Sequence, residues 1–107
     1  NNYDYVSNIT PPTFPDGLDV EIIKLSLLKQ SFAENKSNEN KEHVTMHIRK
    51  NDKYKKYNLS YYKKNLSRIK WSVDTEIDLK LIREIVTTFH PKIHFDWKDI
   101  YKLKKFN

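Results

Sequence analysis

Apolar and polar positions alternate from Tyr3 to Ser7, which predicts a short strand with no obvious partner of its own. Asn8 to Gly17 follows with Pro11, Pro12 and Pro15, and predicts a loop, because each proline fixes φ and restricts the residue before it. Pro15-Asp16-Gly17 has turn chemistry: Pro sets φ, Asp can bond its own backbone, and Gly tolerates positive φ. From Leu18 to Ile23 apolar and acidic residues alternate as in a half-buried strand. Leu18, Val20 and Ile22 should share one face, with Asp19 and Glu21 on the other.

Lys24 to Glu34 changes to helical spacing, with Leu25, Leu28 and Phe32 on one stripe and Leu27 and Ser31 beside it. A polar linker, 35–40, precedes a short helix or turn over Lys41 to Lys50. Tyr54 to Tyr62 is β-prone, and Arg68 to Val73 aligns Ile69, Trp71 and Val73 as a strand entering the core would. The strongest helical signal runs from Thr75 to Phe89. Ile77, Leu81, Ile85 and Phe89 recur at i, i+4, Ile82 and Val86 widen the stripe, Thr75 and Asp78 have capping spacing, and Pro91 stops the helix. A last helix is expected from Asp96 to Phe106, with Trp97, Ile100, Tyr101 and Leu103 to bury. A β–α–β–β–α order with one long amphipathic helix predicts an α/β sheet protein, and an unpartnered first strand implies sheet neighbours outside this stretch.

Composition narrows the chemistry. The chain has 107 residues and one glycine, Gly17, so no glycine-rich loop can cradle phosphates. It has no cysteine, which excludes disulfides, thiolate metal sites and a cysteine nucleophile. No apolar run approaches the roughly 20 residues of a membrane span, and the first residues lack the pattern of a signal peptide, so a cytoplasmic location is expected. Mean hydropathy is low at −0.84, and 13% aromatic content compensates, since each buried ring removes a large area from water.

The net charge of +6 is concentrated. Residues 1–40 sum to −3, residues 41–70 to +8 and residues 71–107 to +1. The central segment could bind an anion or be a solvated face. Within it Lys41, Arg49, Arg68 and Lys70 could pair with a carboxylate or phosphate. Interleaved tyrosines raise nucleic-acid binding, but alternating tyrosines are more often sheet-face residues, and no nucleic-acid partner is expected. His43 and His47 stand i, i+4, yet no third ligand joins them and Glu42 precedes His43, unlike the order in H-E-x-x-H zinc sites.

Three stretches together carry a resemblance. They are Asp4-Tyr5-Val6-Ser7-Asn8 with Thr13-Phe14-Pro15-Asp16-Gly17-Leu18-Asp19-Val20-Glu21, then Glu42-His43-Val44-Thr45, then Ile69-Lys70-Trp71-Ser72-Val73-Asp74-Thr75 running on to Arg83. In order and spacing this set resembles the C-terminal part of the cytidylyltransferase-like family. That family includes spore coat polysaccharide biosynthesis proteins and is related to acylneuraminate and Kdo cytidylyltransferases. The likeness runs from about Asp4 to Ile85. It departs at Met46, where the family has Pro, and at Pro12, where Arg is frequent.

The resemblance implies a three-layer α/β/α, Rossmann-like nucleotide-diphospho-sugar transferase domain, of which residues 1–107 would be a C-terminal fragment without its nucleotide-binding part. It implies transfer of CMP from CTP to a sugar, an acidic one being expected, with release of pyrophosphate, for surface polysaccharide or glycoconjugate synthesis. The full-length protein would be a homodimer using Mg²⁺, and the isolated chain would be inactive. Asp74 is expected to face the site from a strand end and help hold Mg²⁺. On its own chemistry, Asp74 could equally just favour the N-terminus of the following helix. Asp16, Asp19 and Glu21 are expected to accept hydrogen bonds from sugar hydroxyls, and Glu42, His43 and Lys70 to contact substrate. The alternative is a non-catalytic basic module, or a truncated domain, that binds anionic partners.

Overall fold

The computed structural model describes residues 2–34 and 45–107. Glu42 and His43, with Lys41, lie outside the described residues. The first strand, β1 (Tyr5–Ser7), is central in a three-stranded sheet. It pairs antiparallel with β2 (Glu21–Ile23), Val6 opposite Ile22, and parallel with β3 (Lys56–Asn58), Val6 opposite Tyr57. The expectation that β1 lacks partners is therefore corrected: both come from this chain. Parallel pairing needs a long crossover, and the stretch holding α1 (Leu25–Glu34) and α2 (Met46–Lys50) supplies it. The order is β–β–α–α–β–α–α among the described residues, not β–α–β–β–α.

One sheet face carries Tyr5, which packs with Ile48 and Tyr54 and is joined by Ile23 and Leu27. The other face carries Val6, Ile22 and Tyr57, and it is open among the described residues. Val20 and Ile22, expected inside, are 55% and 63% exposed. Helix α1 is likewise turned from its expected stripe: Ser31 is buried and Leu27 half-buried, while Leu25 and Phe32 are exposed. Helix α1 meets the core on the face that Leu27 and Ser31 share, four residues apart.

A second core gathers Trp71, Ile85 and Phe106, flanked by Leu81, Ile82 and Phe89. It rests on α3 (Glu76–Phe89), which begins with a full capping box: the Thr75 hydroxyl accepts the Asp78 N–H, and the Asp78 carboxylate accepts the Thr75 N–H. The capping box keeps Asp78 on the inner side, in line with Leu81, Ile82, Ile85 and Phe89. Ile77 is consequently 81% exposed and Val86 50%, against the expected stripe. The last helix is shorter than expected, α4 (Trp97–Lys102), capped by Asp96. Lys104 then takes a positive φ of 64°, and the reversal returns Phe106 to the core. There the Phe106 carbonyl accepts the Trp71 indole N–H at 3.0 Å. Burying each such side chain is worth about 1.5–3 kcal/mol.

Arg68 to Val73 is not a strand. It makes a single parallel bridge, Lys70 to Asp16, with the Asp16 N–H donating to Ile69 and the Trp71 N–H to Asp16, both at 2.8 Å. Of Tyr54 to Tyr62 only Lys56–Asn58 forms a strand. No described helix is long and apolar enough to cross a membrane.

Candidate functional site

The turn at Asp16-Gly17 and the segment Trp71-Ser72 are built to touch. Gly17 has a φ of 112°, and a Cβ there would lie 2.9 Å from the Ser72 nitrogen and the Trp71 carbonyl carbon. Only glycine satisfies both the left-handed backbone and the close approach. The Ser72 hydroxyl donates to the Asp16 carboxylate at 2.9 Å, which orients that side chain.

Asn8 secures the other end of the turn. Its side-chain amide donates to the Leu18 carbonyl at 2.8 Å and its side-chain oxygen accepts the Val20 N–H at 2.9 Å. The backbone on both sides of Asp19 is thus held against the end of β1. Asn8 itself is buried, so these bonds also satisfy a polar group that could not be left unpaired cheaply.

Beside these residues opens a cavity of about 480 Å³ lined by Asn8, Asp16, Asp19, Arg49, Arg68 and Lys70, with Phe14 and Pro12 as apolar wall. Next to it a shallower cavity of about 420 Å³ shares Asn8, Phe14 and Asp19 and continues onto Leu59 and Trp97. Asp19 stands where the two meet. The first cavity therefore offers two arginines and two carboxylates, and the second continues from Asp19 onto an apolar and aromatic surface. Such a groove suits an anionic, hydroxyl-bearing ligand: guanidinium forks take the anion, and carboxylates take the hydroxyls.

Arg49 reaches the cavity from α2, and its position is set by neighbours. Lys56 Nζ donates to the Arg49 carbonyl at 2.6 Å. At the start of α2 the Thr45 hydroxyl donates to the Glu21 carboxylate at 2.5 Å, and the Tyr5 hydroxyl donates to the same oxygen at 2.5 Å. Glu21, expected at the substrate, does not line the cavity; it ties α2 to the sheet. Burial and then this carboxylate push the Tyr5 phenol up to about 12.

Asp74 and Lys70 also depart from expectation. Lys70 lines the cavity, but its ammonium is engaged by Asp78 at 2.5 Å, Asp74 at 3.1 Å and the Ser72 carbonyl at 3.2 Å. The Asp78 hydrogen bond, foremost, raises the Lys70 pKa above the ordinary lysine value. Asp74 does not line the cavity. It lies outside any strand, with a side chain 71% exposed and paired to Lys70. Among the described residues no group of three or more His, Cys, Asp or Glu side chains could hold a metal ion. The described residues do not by themselves assemble a magnesium centre; Asp74 offers a single, cation-paired carboxylate.

The structure therefore sets Asp16, Asp19 and Lys70 on one cavity, while Glu21 and Asp74 do not line it, Asp74 being paired with Lys70. Arg49 and Arg68, candidates for an anion from their chemistry, line the same cavity as those carboxylates, which their distance along the chain does not reveal. Asn8 and Ser72, which hold the carboxylates in place, carry no signal in sequence beyond their place in the motifs.

No family model matches the chain, and no curated protein does. Among solved structures, a cytidylyltransferase from Leptospira borgpetersenii serovar Hardjo-bovis (strain JB197) superposes with a TM-score of 0.88 at 23% identity. The chain shares that fold. The likeness covers 96% of this chain and 43% of the other, so the chain spans less than half the length of that protein. Coverage of 96% takes in most of Lys92 to Asn107, a stretch outside the motif resemblance. The described residues are thus a small α/β sheet with helices that matches part of a cytidylyltransferase-type domain.

Proposed function

We propose that residues 1–107 are the C-terminal portion of a single cytidylyltransferase-like domain, and that the whole protein transfers CMP from CTP to an acidic sugar. A sugar hydroxyl oxygen forms the new bond to the α-phosphorus of CTP, the bond from that phosphorus to the β-phosphate bridging oxygen breaks, and pyrophosphate leaves. The hydroxyl proton passes to solvent. The resulting CMP-sugar would serve surface polysaccharide or glycoconjugate synthesis in the cytoplasm, with the protein acting as a homodimer.

The observation that carries this reading is the groove itself. It sets Asp16 and Asp19, both from the Thr-Phe-Pro-Asp-Gly-Leu-Asp motif, beside Arg49 and Arg68. In this reading the arginines take the sugar carboxylate, and Asp19, at the junction of the two cavities, takes hydroxyls. Asn8 and Ser72 position the carboxylates. Glu42 and His43 remain candidates for substrate contact. Fold likeness to part of a longer cytidylyltransferase supports the domain assignment, as does the apolar sheet face at Val20 and Ile22. Asp74 would contribute one ligand to magnesium, which keeps waters and substrate phosphates in its shell.

The test is pyrophosphate release by the longest reading frame containing these residues, with CTP, Mg²⁺ and a panel of acidic and neutral sugars. Release that requires an acidic sugar and falls at least about tenfold in Arg68→Ala supports the reading. Release with neutral sugars alone removes the acidic-sugar assignment. No release with any sugar removes the enzyme and favours an anion-binding module.

A further inference from the structure

A second cationic site lies apart from the groove above. Tyr61, Lys63 and Lys64 on the loop after β3 face Lys98, Tyr101 and Lys102 on α4, around a cavity of about 340 Å³. It shares no lining residue with the Arg49 and Arg68 cavity. Phe14, Tyr61 and Trp97 stand between them as an aromatic cluster, with ring centroids 5.4–6.0 Å apart.

Helix α4 explains why its lysines are uncompensated. Its N-cap Asp96 accepts the Lys98 N–H at 3.0 Å, and the Asp99 carboxylate accepts the Asp96 N–H at 3.0 Å. Both carboxylates are committed to the capping box, and neither pairs with a lysine of the helix. Lys98 and Lys102, four residues apart, share one face, and both are exposed. Among the described residues no ion pair involves Lys63, Lys64, Lys98 or Lys102. The hydrogen bond with Tyr101 raises the Lys64 pKa, so its ammonium stays charged.

We propose that the groove between the loop at Lys63-Lys64 and α4 binds a small polyphosphate anion. Four ammonium groups without acidic partners call for a ligand with several negative charges. Lysines act as point charges suited to phosphate oxygens, and the two phenols add neutral donors. The volume is within the range of small-molecule sites, about 300–1,000 Å³. A single-stranded nucleic acid fits less well, because it needs open ring faces for its bases. Here the Tyr61 ring packs against Phe14, Tyr62 and Trp97, and Lys64 covers Tyr101 at 5.3 Å from the ring centroid.

The experiment is titration of the full chain with inorganic tripolyphosphate, followed by calorimetry and by backbone amide shifts. Saturable binding is expected, with shifts centred on Lys63, Lys64, Lys98 and Lys102. The Lys98→Ala/Lys102→Ala protein should lose about tenfold or more in affinity, since two close charges are removed. Lys29→Ala, an exposed lysine on α1 that lines neither cavity, should bind as the wild type does, and the amide shifts separate this site from the groove at Arg49 and Arg68. Lys63→Gln/Lys64→Gln repeats the measurement from the opposite wall, so a defect confined to α4 leaves the site testable. Absence of saturable binding, indifference to both lysine pairs, shifts centred on Arg49 and Arg68 instead, or loss in Lys29→Ala equal to that in the lysine variants would overturn the proposal. Binding of an oligonucleotide without binding of tripolyphosphate would overturn it in favour of a nucleic-acid groove.

Discussion

Lys70 and Asp78 meet in a 2.5 Å ion pair that spans the turn into α3. Asp78 also accepts the N–H groups of Asp74 and Thr75, each at 3.0 Å. One carboxylate thereby caps the helix, closes the turn and neutralises a lysine at the edge of the groove.

The ion pair has a definite pH dependence. Lys70 foremost, then the backbone N–H groups, holds the Asp78 carboxyl below its ordinary value of 3.8. The folded chain keeps this carboxylate ionised where the unfolded chain would protonate it. Its contribution to stability is therefore present above the unfolded pKa and is lost as pH falls through the lower, folded one. Asp78→Asn is expected to unfold at a lower temperature than the wild type at neutral pH, with the gap narrowing below about pH 3. Thermal unfolding of both proteins across that range checks it; a gap independent of pH would count against the pair.

Gly17 supports a second prediction. Gly17→Ala must place a Cβ 2.9 Å from backbone atoms of Trp71 and Ser72 and hold an L-residue at a φ of 112°. The expected loss is about 2 kcal/mol or more. Chemical denaturation measures it, and a loss below about 0.5 kcal/mol would mean that the turn relaxes away from Trp71.

Tyr5 and Glu21 give an alkaline counterpart. The Tyr5 phenol, ordinarily near 10, is raised to about 12 in the folded chain. The folded state retains that proton where the unfolded state releases it, so stability should decline as pH rises from about 10 to about 12. Tyr5→Phe should flatten this part of the decline. It should also cost about 1.5–3 kcal/mol at neutral pH, since the buried hydroxyl bonds a carboxylate. Equilibrium unfolding at neutral and alkaline pH compares the two proteins.

Asn8 should matter to stability and Arg68 to binding. Asn8→Ala leaves the Val20 N–H and Leu18 carbonyl without their side-chain partner and should cost about 1–3 kcal/mol. Arg68 is exposed, so Arg68→Ala should leave the unfolding temperature within about a degree or two while weakening an acidic sugar roughly 10- to 100-fold. Differential scanning calorimetry and sugar titration separate these outcomes. Equal loss of stability in both variants would contradict their assigned roles.

Reading the chain in order found the loop at Pro11–Gly17, the long helix to Phe89 and the capping pair Thr75–Asp78, because each signal is local. It also singled out Asp16 and Asp19, which line the larger cavity. Glu21 and Asp74 do not line that cavity. A carboxylate on an alternating strand or before a helix has the same local pattern whether it meets a substrate, a hydroxyl or a lysine. The faces of α1 and β2 differ from expectation for a related reason, as do Ile77 and Val86 on α3, whose other stripe residues Leu81, Ile82, Ile85 and Phe89 do reach the core. Leu25, Ile22 and Ile77 are apolar, but burial depends on which neighbour arrives, and their expected stripes were inferred from spacing alone.

What the sequence determined by itself was thus what neighbours along the chain can enforce: proline-restricted loops, the glycine turn, helix caps, and the absence of thiols and of a glycine-rich phosphate loop. The tertiary structure alone decided that Asp16 docks on Ser72, that Arg49 and Arg68 line one cavity with Asp19, and that Lys70 is held by Asp78. Those contacts join residues up to 56 positions apart, as in the Ser72–Asp16 bond. Nothing in local spacing encodes such a meeting, because it forms only when the sheet and the two cores bring distant backbone segments together.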